Sequence, residues 1–411
     1  MKPHTKLKLH TQIFIGIVLG VLTGYFFSDI SPVILSPVGE IFMRLLRLLV
    51  IPLVFTSVTL GIVSIGDPKH LGSVSSKTFL YFISTGFIAT SLGLVLASLI
   101  KPGVGHATSG LNGEDYGTPP PFSDLIVNIA PQNIFESLSR GDILPVIVFA
   151  ILLGMALIEI ESKGKPIISF FESSFAAIMR ITDWIIRLTP IGVFALSATV
   201  VATLGIKSLI AVMTYFITVV LGLLIHAGII LPIILKIFGK YSAIDLFRKL
   251  LPALAIATPT ASSAASLPVT MECLNKNVGV PNRITSFVVP LGTTIDMNGT
   301  ALYQGVAVLF IAQMYGIDLT FIHMMIIVIT AFFASAGAAA VPGAGLVTMV
   351  IILNAVNVPV EGLGLILAVD RILDSCRTPV NLWSNSIGAI IVAKLEKEQL
   401  KPHEIESEIK F

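Results

Sequence analysis

Between Ala368 and Gly388 the chain reads AVDRILDSCRTPVNLWSNSIG, which sets Asp370, Arg371, Asp374 and Arg377 inside an otherwise apolar run. A charge at the centre of a bilayer costs about 2.5 to 3.5 kcal/mol on insertion scales, so a group of four marks a functional site by default. At about 100° per residue, Asp370, Asp374, Arg377, Asn381, Asn385 and Gly388 fall within an arc of about 80°, with Thr378 beside it. Ile372, Val380, Leu382 and Ile390 lie opposite and can meet lipid or apolar neighbours. Arg377 offers a planar fork suited to bidentate capture of a carboxylate, and Asp374, one turn away, suits an ammonium. Together they describe an amphoteric ligand with an extra acid. Asn381, Asn385 and the more distant Asp296 add oxygens that a sodium ion or a proton relay would need. The plainer alternative is that the two aspartates and two arginines pair among themselves as glue between helices.

The elements that must hold these groups are membrane spans. Of 411 residues 55% are hydrophobic and 12% charged, with mean hydropathy +0.93, whereas soluble domains are about a quarter charged. Apolar stretches at Phe14 to Phe27, Ile41 to Ile65, Phe79 to Ile100, Ile143 to Leu157, Ile178 to Val201, Ile210 to Phe238, Ser286 to Phe310 and Leu365 to Ala393 predict about eight spans, most near the roughly 20 residues that hydrocarbon requires. The basic start MKPHTKLKLH precedes an apolar run without a clear small-residue cleavage site, which favours a retained anchor over a signal peptide. A net charge of +2 gives no reason to expect nucleic acid, and Cys273 and Cys376 lack metal-ligand spacing. Basic residues stay cytoplasmic in short loops. Lys2, Lys6 and Lys8, then Lys69 and Lys77, Lys163 and Lys165, Lys236 to Lys249, and Lys394 to Lys410 recur at every second connection. The expectation is a multi-pass protein of the cell (inner) membrane with both termini cytoplasmic and an exterior loop from Pro102 to Asp142.

Three stretches depart from simple spans. ALAIATPTASSAASLPVTMECLNK (Ala253 to Lys276) and FFASAGAAAVPGAGLVTMVIIL (Phe332 to Leu353) are interrupted by small residues and proline. Continuous helix is not expected through Pro268 or Pro342, since proline removes an amide donor and clashes with the preceding turn. Irregular backbone at membrane depth survives only inside protein or against a wet cavity, so both stretches read as re-entrant hairpins near a substrate site, with proline-kinked spans as the alternative. In PLGTTIDMNGTALYQG (Pro290 to Gly305), Gly292 and Gly299 permit an unwound turn at which Asp296 and Asn298 could offer oxygens to a hard cation. The sequon at Asn298 sits in too apolar a setting to be a glycosylation site.

The motifs SSAASLPVT, TTIDMNGTALYQGVAVLFIAQ, AAAVPGAG and DRILDSCRTPVN, in this order and spacing, resemble those of the glutamate transporter homologues, also called dicarboxylate/amino acid:cation symporters. The resemblance runs through essentially the whole chain. It implies an all-α membrane protein of eight transmembrane helices plus two re-entrant hairpins, assembled as a homotrimer in lipid. Residues 1–70 (spans one and two) and 102–205 (the exterior loop, spans four and five) would belong to a scaffold. Residues 71–101 (span three) and 206–411 (spans six to eight and both hairpins) would form a transport domain moving like an elevator. By the resemblance, Arg377 would hold a side-chain carboxylate, Asp374 the amino group, and Asn381, Thr378, Thr300 and Ser263 the remaining polar atoms, while the second hairpin closes over the substrate at Val341 and Gly345. Relatives that use neutral amino acids usually carry a small or polar residue where this chain has Arg377, and relatives for plain dicarboxylates tend to lose the Asp374 carboxylate. Uptake of aspartate or glutamate is therefore expected, with a C4-dicarboxylate such as succinate second.

The pattern departs at the cation positions. Sodium-coupled relatives usually read Asn-Met-Asp-Gly-Thr where this chain has Asp296 to Thr300, and aspartate is typical at the position of Asn385. A Tyr, Thr, Ser set in span three becomes Phe82, Thr85 and Gly86. Fewer carboxylates suggest fewer ions or a different one. Gly292, Asp296, Asn381 and Asn385, with Asn298 and Thr85 nearby, could still hold sodium, and a desolvated Asp296 could instead carry a proton. A second sodium position is expected around Thr294, Met297, Ser335, Ala336 and Ala338, largely through backbone carbonyls. Sodium is the expected coupling ion, with a proton the alternative and no other cofactor. No catalytic triad, metal-spaced histidine pair or phosphate loop points to an enzyme, His226 and His323 read as satisfied packing histidines, and occluding hairpins argue for a carrier over a channel.

Overall fold

The computed structural model describes residues 9–28, 31–63, 68–105, 132–140, 143–204, 208–336 and 344–400. Among them the chain is helical throughout, without a strand. The helices are α1 (Leu9–Phe26), α2 (Ser31–Val63), α3 (Pro68–Ile100), α4 (Ile134–Arg140), α5 (Ile143–Glu159), α6 (Lys165–Arg187), α7 (Thr189–Leu204) and α8 (Ser208–Ile225). From Ile225 α8 continues through π-helical turns to Gly239. There follow α9 (Ala243–Thr260), α10 (Ser263–Glu272), α11 (Asn282–Ile295), α12 (Asn298–Met314), α13 (Phe321–Ala336), α14 (Ala344–Ala355) and α15 (Leu363–Leu395). Stretches within Gly72–Ile100, Ile210–Gly239 and Asn282–Met314 are long and apolar enough to cross a membrane, and the third is wholly buried within this chain. Most of the expected exterior loop lies outside the described residues.

Packing divides the helices into two groups. α1 lies along α7, and α2 packs on α5, α6 and α7; α3 lies along α12, which also meets α15, α13 and α8. α9 pairs with α10, α13 with α14, and α15 touches nearly every member of the second group. The groups meet where α14 and α15 pack against α2 and α7. Without a hydrophobic drive between helices in lipid, close backbone approach matters. Gly16 and Gly20 on α1 lie so near the carbonyls of Pro190 and Phe194 on α7 that an added Cβ would sit 2.6 and 2.5 Å from those oxygens. Gly24 faces Ala198 in the same way.

Two expectations change. The apolar stretch Ile178 to Val201 is not one helix. It breaks at Leu188 between α6 and α7, where the Leu188 amide bonds to Ile185 O and its carbonyl starts α7, with the donor-less Pro190 in the first turn. Nor does Pro268 interrupt its stretch. α10 runs through it to Glu272, and the break falls at Ala261 (φ 48°) and Ser262, whose hydroxyl caps α10 through the Ala265 amide. Two hydroxyls of α10 also bond back within it, Ser266 to Ser263 O (3.0 Å) and Thr270 to Ser266 O (2.8 Å). Prolines 37, 52, 252, 259, 290 and 379 also lie inside helices. Pro342 lies outside the described residues, which resume at Ala344. The unwound turn at Asp296 is present: Asp296 (φ −86°, ψ 66°) and Met297 (φ −100°, ψ 56°) leave the helical region between α11 and α12.

Replacing Gly20 with Leu should force α1 off α7. We expect a loss of about 1 to 3 kcal/mol, read as a lower melting temperature in detergent, whereas the same change at Gly72, around which nothing lies within 4 Å, should leave the melt unchanged.

Candidate functional site

The expected polar stripe is one face of α15, and it is buried. Asp370, Asp374, Arg377, Thr378, Asn381 and Asn385 are each at most 8% exposed. On the opposite side Ile372 is exposed while Val380, Leu382 and Ile390 pack inside the protein. At the centre stands Arg377, 1% exposed, its guanidinium carbon 3.8 Å from the centroid of the Tyr303 ring on α12. One nitrogen, Nη2, serves both neighbouring carboxylates: it donates to Asp374 Oδ1 at 2.9 Å and lies 3.3 Å from Asp370 Oδ1, outside hydrogen-bond geometry. Nε and Nη1 have no hydrogen-bond partner among the described residues. Gly345, in the first turn of α14, sits so close that a Cβ there would lie 3.0 Å from Nη1. Two of the three nitrogens of this buried, permanently charged fork are thus unengaged among the described residues, which is costly unless something anionic meets them.

The next turns of the stripe lock α12 to α15. Asn381 Oδ1 accepts from the Gly299 amide (2.7 Å), and its Nδ2 donates to Thr300 Oγ1 (3.3 Å). Gly299 permits this because any side chain there would strike the Arg377 backbone. Thr378 donates to Asp374 O at 2.9 Å. Ser263, at the start of α10, lines a pocket of about 10 Å³ with Ser266, Thr270, Gly292, Thr293, Asn381, Leu382 and Asn385, roughly the room of one water. Asn385 donates to Val289 O (2.8 Å), and its Oδ1 presses on the Cα of Gly292.

Asp296 does not join that pocket. It turns toward α3, where Thr85 donates to its Oδ1 at 3.4 Å. Asn298 Nδ2 donates to Ser384 Oγ (2.6 Å), and Tyr81 donates to Ser384 O (3.0 Å). Asp296 Oδ2, Asn298 Oδ1 and Asn385 Oδ1 are buried without hydrogen-bond partners among the described residues. Thr294 and Ser335 bond back to their own helices, at Leu291 O and Phe332 O. Met297 is buried at the unwound turn and Ala336 ends α13, whereas Ala338 and Val341 lie outside the described residues. His323 Nδ1 accepts from the Thr320 amide, but His226 is buried with neither nitrogen bonded among the described residues, where it is not the satisfied packing histidine expected.

Several residues that complete the cluster were not singled out by sequence. Ser384 projects about 20° outside the 80° arc drawn on α15, and a slightly wider arc includes it. Tyr81 precedes Thr85 by four residues, the spacing that shares a helix face, whereas Phe82 packs against Gly292. Tyr303 carries no charge to betray it, and Tyr215 on α8, 6.5 Å from the Tyr303 ring, was hidden in an apolar span.

Replacing Asp370 with Asn would leave the Arg377 guanidinium with one carboxylate in a low-dielectric interior. A loss of about 3 kcal/mol is expected, measured by thermal unfolding of the purified protein; an unchanged melt would contradict the compensation.

Comparison with known proteins identifies relatives along nearly the whole chain. Residues 9–395 match the model of the sodium:dicarboxylate symporter family. The chain is 38% identical to the proton/sodium-glutamate symport protein of Geobacillus stearothermophilus, with 95% of each chain covered. It is 36% identical to the proton/glutamate-aspartate symporter of Escherichia coli, covering 95% of this chain and 93% of the relative. To the C4-dicarboxylate transport protein of Bacillus subtilis it is 32% identical, over 95% and 94%.

Proposed function

The chain belongs to the sodium:dicarboxylate symporter family, a family of transporters rather than enzymes, and from that premise we propose that it takes up aspartate or glutamate together with a cation. The observation that carries this reading is the half-engaged guanidinium of Arg377: buried, held by Asp374 and Asp370 through a single nitrogen, with two donor nitrogens left over. A carboxylate entering there completes the fork, and bidentate pairing selects it over a neutral side chain. Asp374 faces the ammonium, Thr378, Asn381, Thr300 and Ser263 surround the remaining polar atoms, and Val341 and Gly345 belong to the gate that closes above. The coupling cation is held among Gly292, Asp296, Asn381 and Asn385, with Asn298 and Thr85, and a second lies around Thr294, Met297, Ser335, Ala336 and Ala338. Three buried oxygens without partners among the described residues, on Asp296, Asn298 and Asn385, are of the hard kind that sodium takes. Proton coupling is the second reading, supported by Asp296 being the one carboxylate in that cluster and by relatives named as proton symporters.

In this proposal the protein is a homotrimer in the cell (inner) membrane with both termini cytoplasmic. Eight spans are joined by two re-entrant hairpins, α9 with α10 and α13 with α14. The mutual packing of α1, α2 and α5 to α7 supports a scaffold, and that of α3 with α8 to α15 a transport domain that shifts as one body.

Uptake of radiolabelled L-aspartate into proteoliposomes tests the function. We expect accumulation driven by an inward sodium gradient, and a loss of about 100-fold in Arg377→Ala, the scale of truncating one partner of a buried charge pair. Uptake that follows a pH gradient and ignores sodium would move the coupling to a proton, and unimpaired uptake by Arg377→Ala would remove that residue from the site.

A further inference from the structure

Arg371 is the fourth charge of the apolar run and lies beside the stripe rather than in it, and the proposed roles leave it unused. It lies three residues before Asp374 on α15, with Nη1 3.6 Å from Asp374 Oδ2 and its side chain 26% exposed against 11% for Asp374. Asp374 therefore meets an arginine at each oxygen: the buried Arg377 at Oδ1 and the half-buried Arg371 at Oδ2. The two arginines are not equivalent. Arg377 is fixed beneath the Tyr303 ring and against Gly345, while Arg371 makes the longer contact from the more exposed position.

An amino-acid substrate brings an ammonium to Asp374. Asp374 Oδ1 already accepts from Arg377 and Oδ2 already faces Arg371, so an ammonium that joins this carboxylate does so against the repulsion of the Arg371 charge at close range. A dicarboxylate without an amino group has no such conflict, leaves the Arg371–Asp374 pair in place and is drawn by the additional positive charge. We infer that Arg371 is a specificity-determining residue that competes with the substrate's ammonium for Asp374, and so brings dicarboxylates lacking an amino group closer in affinity to acidic amino acids. The inference rests on the acidic-substrate reading above and deepens it. Its effects on the two ligand classes have opposite signs, which a loss of structure would not produce.

The test uses the full chain in proteoliposomes, comparing wild type, Arg371→Ala, Arg371→Gln and Arg371→Lys. KM is measured for radiolabelled L-aspartate and Ki for succinate as competitor. Removing the charge in Arg371→Ala or Arg371→Gln should lower the aspartate KM and raise the succinate Ki, a few-fold each, so that their ratio rises about tenfold. Arg371→Lys, which keeps the charge, should hold the ratio near that of wild type. A ratio unchanged in both neutral variants, or two constants that rise together, overturns the role of Arg371 while leaving aspartate uptake by wild type intact. Failure of wild type to take up aspartate would overturn the acidic-substrate reading, and this inference with it.

Discussion

A guanidinium that cannot lose its proton, held in the middle of an apolar bundle, must be compensated wherever the protein goes. Arg377 is compensated by two carboxylates on its own helix, one turn and two turns before it, and by the face of Tyr303. Because the three charges ride on one helix, the cluster can move as a unit without breaking its internal pairing. Replacing such a cluster with apolar residues of similar volume would often be neutral for stability. Stability alone therefore does not account for the cluster, and the two nitrogens unengaged among the described residues point to a ligand.

The rest of the second helix group serves that geometry. Gly299 lets the start of α12 reach the Arg377 backbone, Asn381 fastens it there, and the unwound Asp296–Met297 pair turns backbone and side-chain oxygens inward instead of into lipid. Irregular backbone at this depth is affordable because α11 and α12 are enclosed by other helices. The first group is built differently. Glycines at spacing four on α1 let it lie directly on the α7 backbone.

Much of this was legible in the sequence, because charge in an apolar run is a strong signal and helical spacing says which charges share a face. The stripe from Asp370 to Asn385, the unwound turn at Asp296 and the turn between α9 and α10 all follow from residue type. What escaped did so for identifiable reasons. Pro268 was overweighted, since α10 runs through it to Glu272 and the chain breaks earlier, at Ala261 and Ser262. The break at Leu188 was missed although Pro190, two residues on, is a helix-start signal that the hydropathy of the run overrode. Thr85 was named with Asp296 from the sequence and does meet it, whereas the neighbouring contacts of Tyr81 and Asn298 with Ser384 had to come from coordinates. Contacts between distant helices leave no periodic trace in either one.

The central claim is that the unengaged half of the Arg377 fork recognises a carboxylate. It is tested most directly by the melting temperature of the purified protein in sodium chloride with L-aspartate and with L-serine, which share the amino-acid backbone and differ in the side-chain acid. A ligand that binds only the folded protein stabilises it by mass action, about 2.7 kcal/mol at a hundred times its dissociation constant. A rise with L-aspartate and none with L-serine is the predicted result. An equal rise with both, or a rise with L-serine alone, would contradict it.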